Sequence, residues 1–194
     1  MKIFYKRANR DEVNNYLRLG DHPNIPKLIH HEETETHMNL CIELIDNSIT
    51  FKQLVSETIE PEDLLHIVKT FKSTLEYIHS RHVIHGDLKN LANILYQKEK
   101  KRIVIIDFEF SATEDEFEEF KEADNAWAAF VLFSLFIGKI KISFYDDFLD
   151  GIYCSMITKL ESLIKQYSSD SVKVEILKEI YYLFSSTDIK LKSF

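Results

Sequence analysis

Glycine and proline are scarce in this chain, with 4 and 3 respectively among 194 residues. So few turn-makers exclude a collagen-like or low-complexity protein. They leave a mostly helical protein with few elaborate loops as the expectation. Cysteine is rarer still: Cys41 and Cys154 lie far apart, with no metal-type spacing. Each sits in an apolar run, NLCIELI and GIYCSMI, where cysteine behaves as a small buried hydrophobe. A reduced, cytoplasmic setting is therefore expected. No apolar run reaches the length of about 18 residues that a membrane span needs. The longest, AWAAFVLFSLFIG, suits a buried core helix instead. MKIFYKRANRDE has no long apolar stretch, so no secretory leader is expected at the N-terminus. Positive charge is also in deficit. A net charge of -8 gives no global field to neutralise phosphates, which argues against a nucleic-acid partner. The local exception, KEKKR at 98–102, lies between two apolar runs and is expected as a solvated hairpin turn.

What is present is a globular composition: 45% hydrophobic residues, with 14 Phe and 9 Tyr. The length suits one domain, 1–194, with a real core. Residues 1–6 read as a strand. Residues 10–20 read as a helix with Val13, Tyr16 and Leu17 on its apolar face and Gly20 as its stop. HPNIPKLIHHEET and HMNLCIELI read as two strands joined by a polar turn near Glu33–Glu35. ITFKQLVSETI is expected as a short helix and residues 61–82 as a long amphipathic one. In the latter, Pro61, Glu62 and Asp63 suit the start, and Arg81 and His82 the end. NILYQ and RIVIIDF are two short strands around the basic turn. Residues 124–138 form an apolar core helix, followed by helices over 143–167 and 171–186.

The polar residues cluster in meaningful places. His85, Asp87, Lys89 and Asn93 share the loop after the long helix, and Asp107 closes the apolar run RIVIID. A carboxylate at the end of a buried strand is costly unless it is paired or metal-bound. Asp87 and Asp107 flank a short hairpin that can bring two carboxylates, a lysine and an amide to one end. That set suits phosphoryl transfer: one Asp positions a hydroxyl, the other Asp and the Asn hold Mg²⁺, and the Lys offsets phosphate charge.

HGDLKNLAN and IIDFE resemble the catalytic and metal-binding segments of the eukaryotic-type protein kinases, H-R-D-L-x-x-x-N and D-F-G. HPNIPKL resembles the start of the fourth strand of the kinase N-lobe. CIELI resembles the fifth strand running into the hinge, with Ile42 at the gatekeeper-like position and Glu43 to Ile45 as the hinge. ADNAWAAFVLFSLFIGK resembles the central C-lobe helix. The resemblance implies an α+β, protein-kinase-like fold, with a reduced N-lobe at 1–45 and a helical C-lobe at 46–194. It implies ATP and Mg²⁺ as cofactors, and a protein substrate or partner rather than nucleic acid or membrane. By the same resemblance, Asp87 is the catalytic aspartate and Lys89 the phosphate-facing lysine. Asn93 and Asp107 become the metal ligands. Lys6 is the third-strand lysine, Glu12 the helix glutamate, and Glu43 and Ile45 nucleotide contacts. His85 and Asp124 are structural, with Asp124 expected to be buried beneath the His85–Asp87 backbone.

The departures are equally specific. No Gly-rich phosphate loop stands before Lys6, so weak nucleotide binding is expected. Lys6 and Glu12 are only six residues apart, short for a strand-to-helix ion pair, and an exposed surface lysine is the alternative. Asn93 falls one residue later than the pattern places it, which predicts a bulge at Asn90–Ala92. Glu109 replaces the glycine of D-F-G. Only 17 residues separate Asp107 from Asp124, with the acidic EDEFEEFKE between them. The glycine after His85 and this short path resemble the RIO kinases, the aminoglycoside phosphotransferases and the small kinase of the tRNA threonylcarbamoylation complex. Two readings follow: a minimal phosphotransferase, or a pseudokinase that binds a partner through kinase-like surfaces.

Overall fold

Ile3, Phe4 and Tyr5 favour extended backbone, and strand β1 spans Ile3–Ala8. This computed structural model describes residues 2–110, 112, 115–138 and 152–185, without the side chains of 152–155. Asn9 turns the chain directly from β1 into helix α1 (Arg10–Leu19), its side chain accepting a hydrogen bond from Glu12 N at 2.7 Å. Gly20, at φ 61°, ends the helix and donates its N–H to Tyr16 O. Val13, Tyr16 and Leu19 form the buried face. Leu17, expected on that face, is 53% exposed because the apolar stripe follows i, i+3, i+6 and leaves it on the outside.

Strands β2 (Leu28–Glu33) and β3 (Met38–Glu43) complete an antiparallel sheet in the order β1–β3–β2. β3 is the central strand, which is why it carries the apolar run: Leu40, Cys41 and Ile42 are all buried. The helix expected over ITFKQLVSETI is much shorter. Ile49–Thr50 is strand β4, paired with Tyr96 and Leu95, and helix α2 is a single turn, Phe51–Leu54. A reciprocal cap between Thr50 and Gln53 starts that turn. Sheet pairing of β4 thus overrides local helix preference.

Helix α3 (Pro61–Ser80) has proline at its start, and its buried stripe runs Leu64, Ile67, Val68, Phe71, Leu75 and Ile78. β5 (Ile94–Gln97) and β6 (Arg102–Ile105) join β4 in a second antiparallel sheet. The basic turn between them is held down: Lys98 pairs with Glu57, Lys101 with Asp63 and Arg102 with Glu43. Helix α4 (Phe117–Ile137) begins earlier than the expected Asp124. Glu118 and Glu119 suit the positive end of a helix, so the acidic segment forms its first turns. Helices α5 (Ile152–Gln166) and α6 (Ser171–Ser185) follow. The start expected for α5 at 143, and the side chain of Cys154, lie outside the described residues.

The main core forms where α6 packs on α3 and α4. Ile67, Phe71, Ala128, Leu132, Leu160, Ile176 and Ile180 are fully buried there. None of the described helices is long and apolar enough to cross a membrane. The N-terminal sheet is tied to this body through α1: Tyr77 Oη donates to Leu19 O, and Arg81 Nε to Arg18 O. Ile105 N also donates to Asn24 O. The architecture is α+β: a small antiparallel sheet with one helix, joined to a helical body that carries a second small sheet.

Phe71 is fully buried beside Phe51. Phe71→Ala is expected to lower stability by about 3–5 kcal/mol. Tyr5→Ala, on an exposed side chain, should change it by no more than about 0.5 kcal/mol. Urea denaturation of both variants checks the contrast.

Candidate active site

The site is built on a buried carboxylate. Asp124, on the second turn of α4, is almost fully buried and accepts hydrogen bonds from His85 N at 2.8 Å and Gly86 N at 2.9 Å. His79 Nε2, on the last turn of α3, donates to the same carboxylate at 3.1 Å. Three donors from two segments therefore converge on one side chain, which offsets the cost of burying its charge. His79 was not expected from sequence. Its one signal is that it continues the buried stripe of α3 four residues after Leu75.

The loop above it is threaded by His85. Its Nδ1 accepts from Asp87 N at 3.2 Å, and its Nε2 donates to Ile106 O at 2.9 Å, which joins the loop to the chain after β6. Gly86 has φ +73°, and a Cβ there would sit 2.7 Å from Phe110 Cβ. The glycine is thus required twice, by its backbone angle and by the Phe110 ring that packs over it. Asp87 is half-buried, and one of its carboxylate oxygens accepts from Asn93 Nδ2 at 3.0 Å. Asn93 and Asp87 therefore meet despite the extra residue. That residue is absorbed in a short 3₁₀ turn, Leu91–Asn93, in which Ala92 N donates to Asn90 Oδ1 at 3.2 Å, rather than in an open bulge. Lys89 is exposed on the same loop.

Asp107 lies two residues beyond β6, in left-handed conformation at φ 73°. Asn15, a buried residue of α1, donates to Phe108 O at 3.0 Å and Phe110 O at 2.7 Å and so holds this segment. Phe108 is fully buried between Tyr16, at 5.5 Å between ring centroids, and His85, at 5.2 Å. Nothing in the sequence marks Asn15 for this work, because its partners are backbone carbonyls nearly a hundred residues away.

Lys6 joins the two halves. Its Nζ lies 3.0 Å from Glu12 Oε1 and 2.6 Å from Asp107 Oδ1. The exposed-lysine alternative is thereby corrected. β1 runs to Ala8 and one capping residue turns it into α1, so six residues suffice to put both side chains on the same side. Burial alone would lower the Lys6 pKa. The hydrogen bonds to Asp107 and Glu12 outweigh it and hold the lysine above its ordinary value. For Glu12 the balance is reversed: burial pushes its carboxyl up, and Lys6 opposes this only partly.

Beside Lys6 is a cavity of about 390 Å³. Phe4, Ile42, Leu44, Ile45, Leu95 and Ile106 give it apolar lining, and Lys6, Glu12, Asn93 and Asp107 give it polar lining; Asp87 and Lys89 are not part of it. Ile45 and Glu43 both reach its lining, but the Glu43 side chain is engaged by Arg102 Nη1 at 3.0 Å. Burial by itself would raise the Glu43 pKa; the Arg102 guanidinium outweighs it and holds the carboxyl below its usual value.

A lysine, two carboxylates and an amide thus share the lining of one largely apolar cavity. The protein kinase domain family matches residues 2–128, and the chain belongs to that family. It is 32% identical over 124 residues to the calcium/calmodulin-dependent protein kinase type 1 of Macrobrachium nipponense, covering 59% of this chain and 36% of that one. It is 33% identical over 110 residues to the ribosomal protein S6 kinase alpha-1 of Rattus norvegicus, covering 55% of this chain and 15% of that one. The chain thus spans little more than a third, or less, of the length of these relatives. The crystal structure of Rad53 1-466 in complex with AMP-PNP shares the fold. Its TM-score is 0.55 and its identity 19%, over 69% of this chain and 40% of that one.

Asp124→Ala leaves two backbone N–H groups and the His79 ring without their acceptor. It is expected to cost about 3–5 kcal/mol. A fall of less than about 1 kcal/mol in chemical denaturation would show that the loop does not depend on this carboxylate.

Proposed function

We propose that this chain is an ATP- and Mg²⁺-dependent phosphotransferase of the protein-kinase type, acting in the cytoplasm on a Ser/Thr-type hydroxyl of a protein. Residues 1–45 form its small lobe and 46–194 its helical lobe. The observation that carries this reading is the Lys6 ammonium between Glu12 and Asp107 in the lining of the cavity. Asn93 lines the same cavity and donates to the carboxylate of Asp87, which stands outside that lining. The apolar lining of the cavity, with Ile42 and Ile45, suits a planar base.

Asp107 and Asn93 both line the cavity and offer oxygen donors, which suits a hard cation such as Mg²⁺. When bound, Mg²⁺ would neutralise charge on the terminal phosphates of the nucleotide. Lys6, held by Glu12, supplies a fixed positive charge to those phosphates. Asp87 orients the acceptor hydroxyl and takes its proton as the terminal phosphorus–oxygen bond of ATP breaks, a bond to the acceptor oxygen forms and ADP leaves. Lys89 offsets charge on the phosphoryl group in transit. Asn93 fixes the Asp87 carboxylate through its 3.0 Å hydrogen bond. His85 and Asp124 position the loop without touching substrate.

Affinity for ATP is weak, because no Gly-rich loop lines the described cavity. Two or three missing charge-assisted hydrogen bonds, each about 1.5–3 kcal/mol, reduce binding roughly a hundred-fold or more. A second reading, a pseudokinase that binds a partner, is favoured by one feature. Lys6 Nζ is bonded directly to Asp107 at 2.6 Å, so the ammonium that should meet phosphate is already engaged.

Incubation with radiolabelled ATP, Mg²⁺ and a protein substrate separates the two. Label transfer is expected with wild type, falling about 10²–10⁴-fold in Asp87→Asn. It should be lost in Asp107→Ala. Calorimetry should show millimolar-range ATP binding that disappears in Asp107→Ala. No transfer and no Asp107-dependent binding would overturn the phosphotransferase reading in favour of the pseudokinase.

A further inference from the structure

The N-terminal sheet runs β1–β3–β2, so β1 has a neighbouring strand on one side only. Leu44 N donates to Lys2 O, and the register continues with Ile3 opposite Glu43 and Phe4 opposite Ile42. In an antiparallel ladder the backbone groups of successive residues turn to opposite sides. Lys2, Phe4, Lys6 and Ala8 therefore turn theirs toward β3, and Ile3, Tyr5 and Arg7 turn theirs outward. Among the described residues nothing pairs with those outward groups. Natural sheets usually blunt such an edge with charge. The opposite edge, β2, is blunted: His30, His31, Glu32 and Glu33 are all exposed. β1 is not. Ile3, Phe4 and Tyr5 make up half of the large apolar side chains exposed among the described residues, with Tyr5 at 69%. Phe4 and Lys6 line the cavity, so Ile3, Tyr5 and Arg7 stand in a row on the other face of the strand.

The charge at this edge opposes that of the whole chain. Lys2, Lys6, Arg7 and Arg10 lie in or beside β1, in a chain of net charge -8. Lys2 meets Asp46, Lys6 meets Glu12 and Asp107, and Arg10 meets Glu33. Arg7 is exposed and has no ion pair among the described residues. We propose that the outer edge of β1 binds an extended, acidic and apolar segment of a partner protein, which adds to the sheet as an antiparallel strand. The outward N–H and C=O groups of Ile3, Tyr5 and Arg7 supply the ladder, and the row of side chains supplies the selectivity. A carboxylate falls opposite Arg7, and apolar side chains fall opposite Tyr5 and Ile3. From its N-terminal end the segment therefore reads acidic–x–apolar–x–apolar. A second copy of β1 fits less well, because it would bring Lys2 and Arg7 of both chains to one seam. Tyr5 and Arg7 lie outside the cavity lining, so the proposal does not rest on the phosphotransfer reading.

The test titrates a fluorescein-labelled peptide, Thr-Glu-Thr-Val-Thr-Val-Thr, with the full chain in the absence of nucleotide, and follows fluorescence anisotropy. Wild type should bind it saturably. The same peptide with Lys in place of Glu should bind about tenfold more weakly or worse. Arg7→Glu should reverse that preference. Tyr5→Pro removes one outward N–H and leaves the bonds of Phe4 and Lys6 to β3, so it should melt cooperatively and lose the peptide. Absence of saturable binding by wild type overturns the proposal, as does an unreversed preference in Arg7→Glu. Unchanged binding by a cooperatively melting Tyr5→Pro overturns it too. Dimers in sedimentation velocity that Tyr5→Pro abolishes would give the edge to a second copy and equally overturn it. If Tyr5→Pro does not fold, the charge reversal in Arg7→Glu decides alone. Peptide binding with the expected preferences, in a protein that transfers no phosphate, would remove the functional reading and leave this one standing.

Discussion

The charge of Asp124 is the constraint on which the rest depends. A carboxylate inside an apolar helix is tolerated only with a full set of donors. His79, His85 and Gly86 supply them from α3 and from the loop that follows it. Satisfying that one group fixes where the loop lies over α4. His85 then reaches across to Ile106 O and fixes the segment leading to Asp107. Phe108 fills the space between His85 and Tyr16, so α1 is seated as well. A chain of buried and part-buried contacts therefore runs from the core helix to the cleft.

At the cleft the balance changes sign. The core offsets its one buried charge completely, whereas the cleft gathers more acidic than basic groups around Lys6. Burial raises the Glu12 pKa even with Lys6 beside it. Such an excess of acidic groups is a cost to the folded state that one ammonium offsets only in part.

The slipped spacing of the loop turns out to be a local matter. One additional residue in a tight loop shifts the chain by a few Å if nothing absorbs it. Here Asn90 caps a 3₁₀ turn that takes up the length, and Asn93 arrives beside Asp87. The loop is pinned on both sides of the change: Leu88 is buried before it, and Ile106 N donates to Asn93 O after it. Between fixed points, the backbone had only the turn in which to place the surplus.

The sequence by itself determined the family and the α+β class, because ordered motifs and an apolar core helix are properties of residue order. It also marked Asp107 and Asp124 as carboxylates placed where burial is expensive, and Asp87 and Asn93 by their place in the loop motif. Helix limits were less legible. Ile49 and Thr50 became strand because β5 was available to pair, and α4 extended to Phe117 because its acidic turns suit a helix start. Only the tertiary structure decided that Lys6 meets Glu12 and Asp107, that Asn15 and His79 hold the loops, and that Phe110 demands Gly86. Those contacts join residues far apart in the chain through backbone carbonyls, ring faces and shared carboxylates. Local pattern carries no signal for such partners, since they exist only once the sheet, α1 and the helical body are packed together.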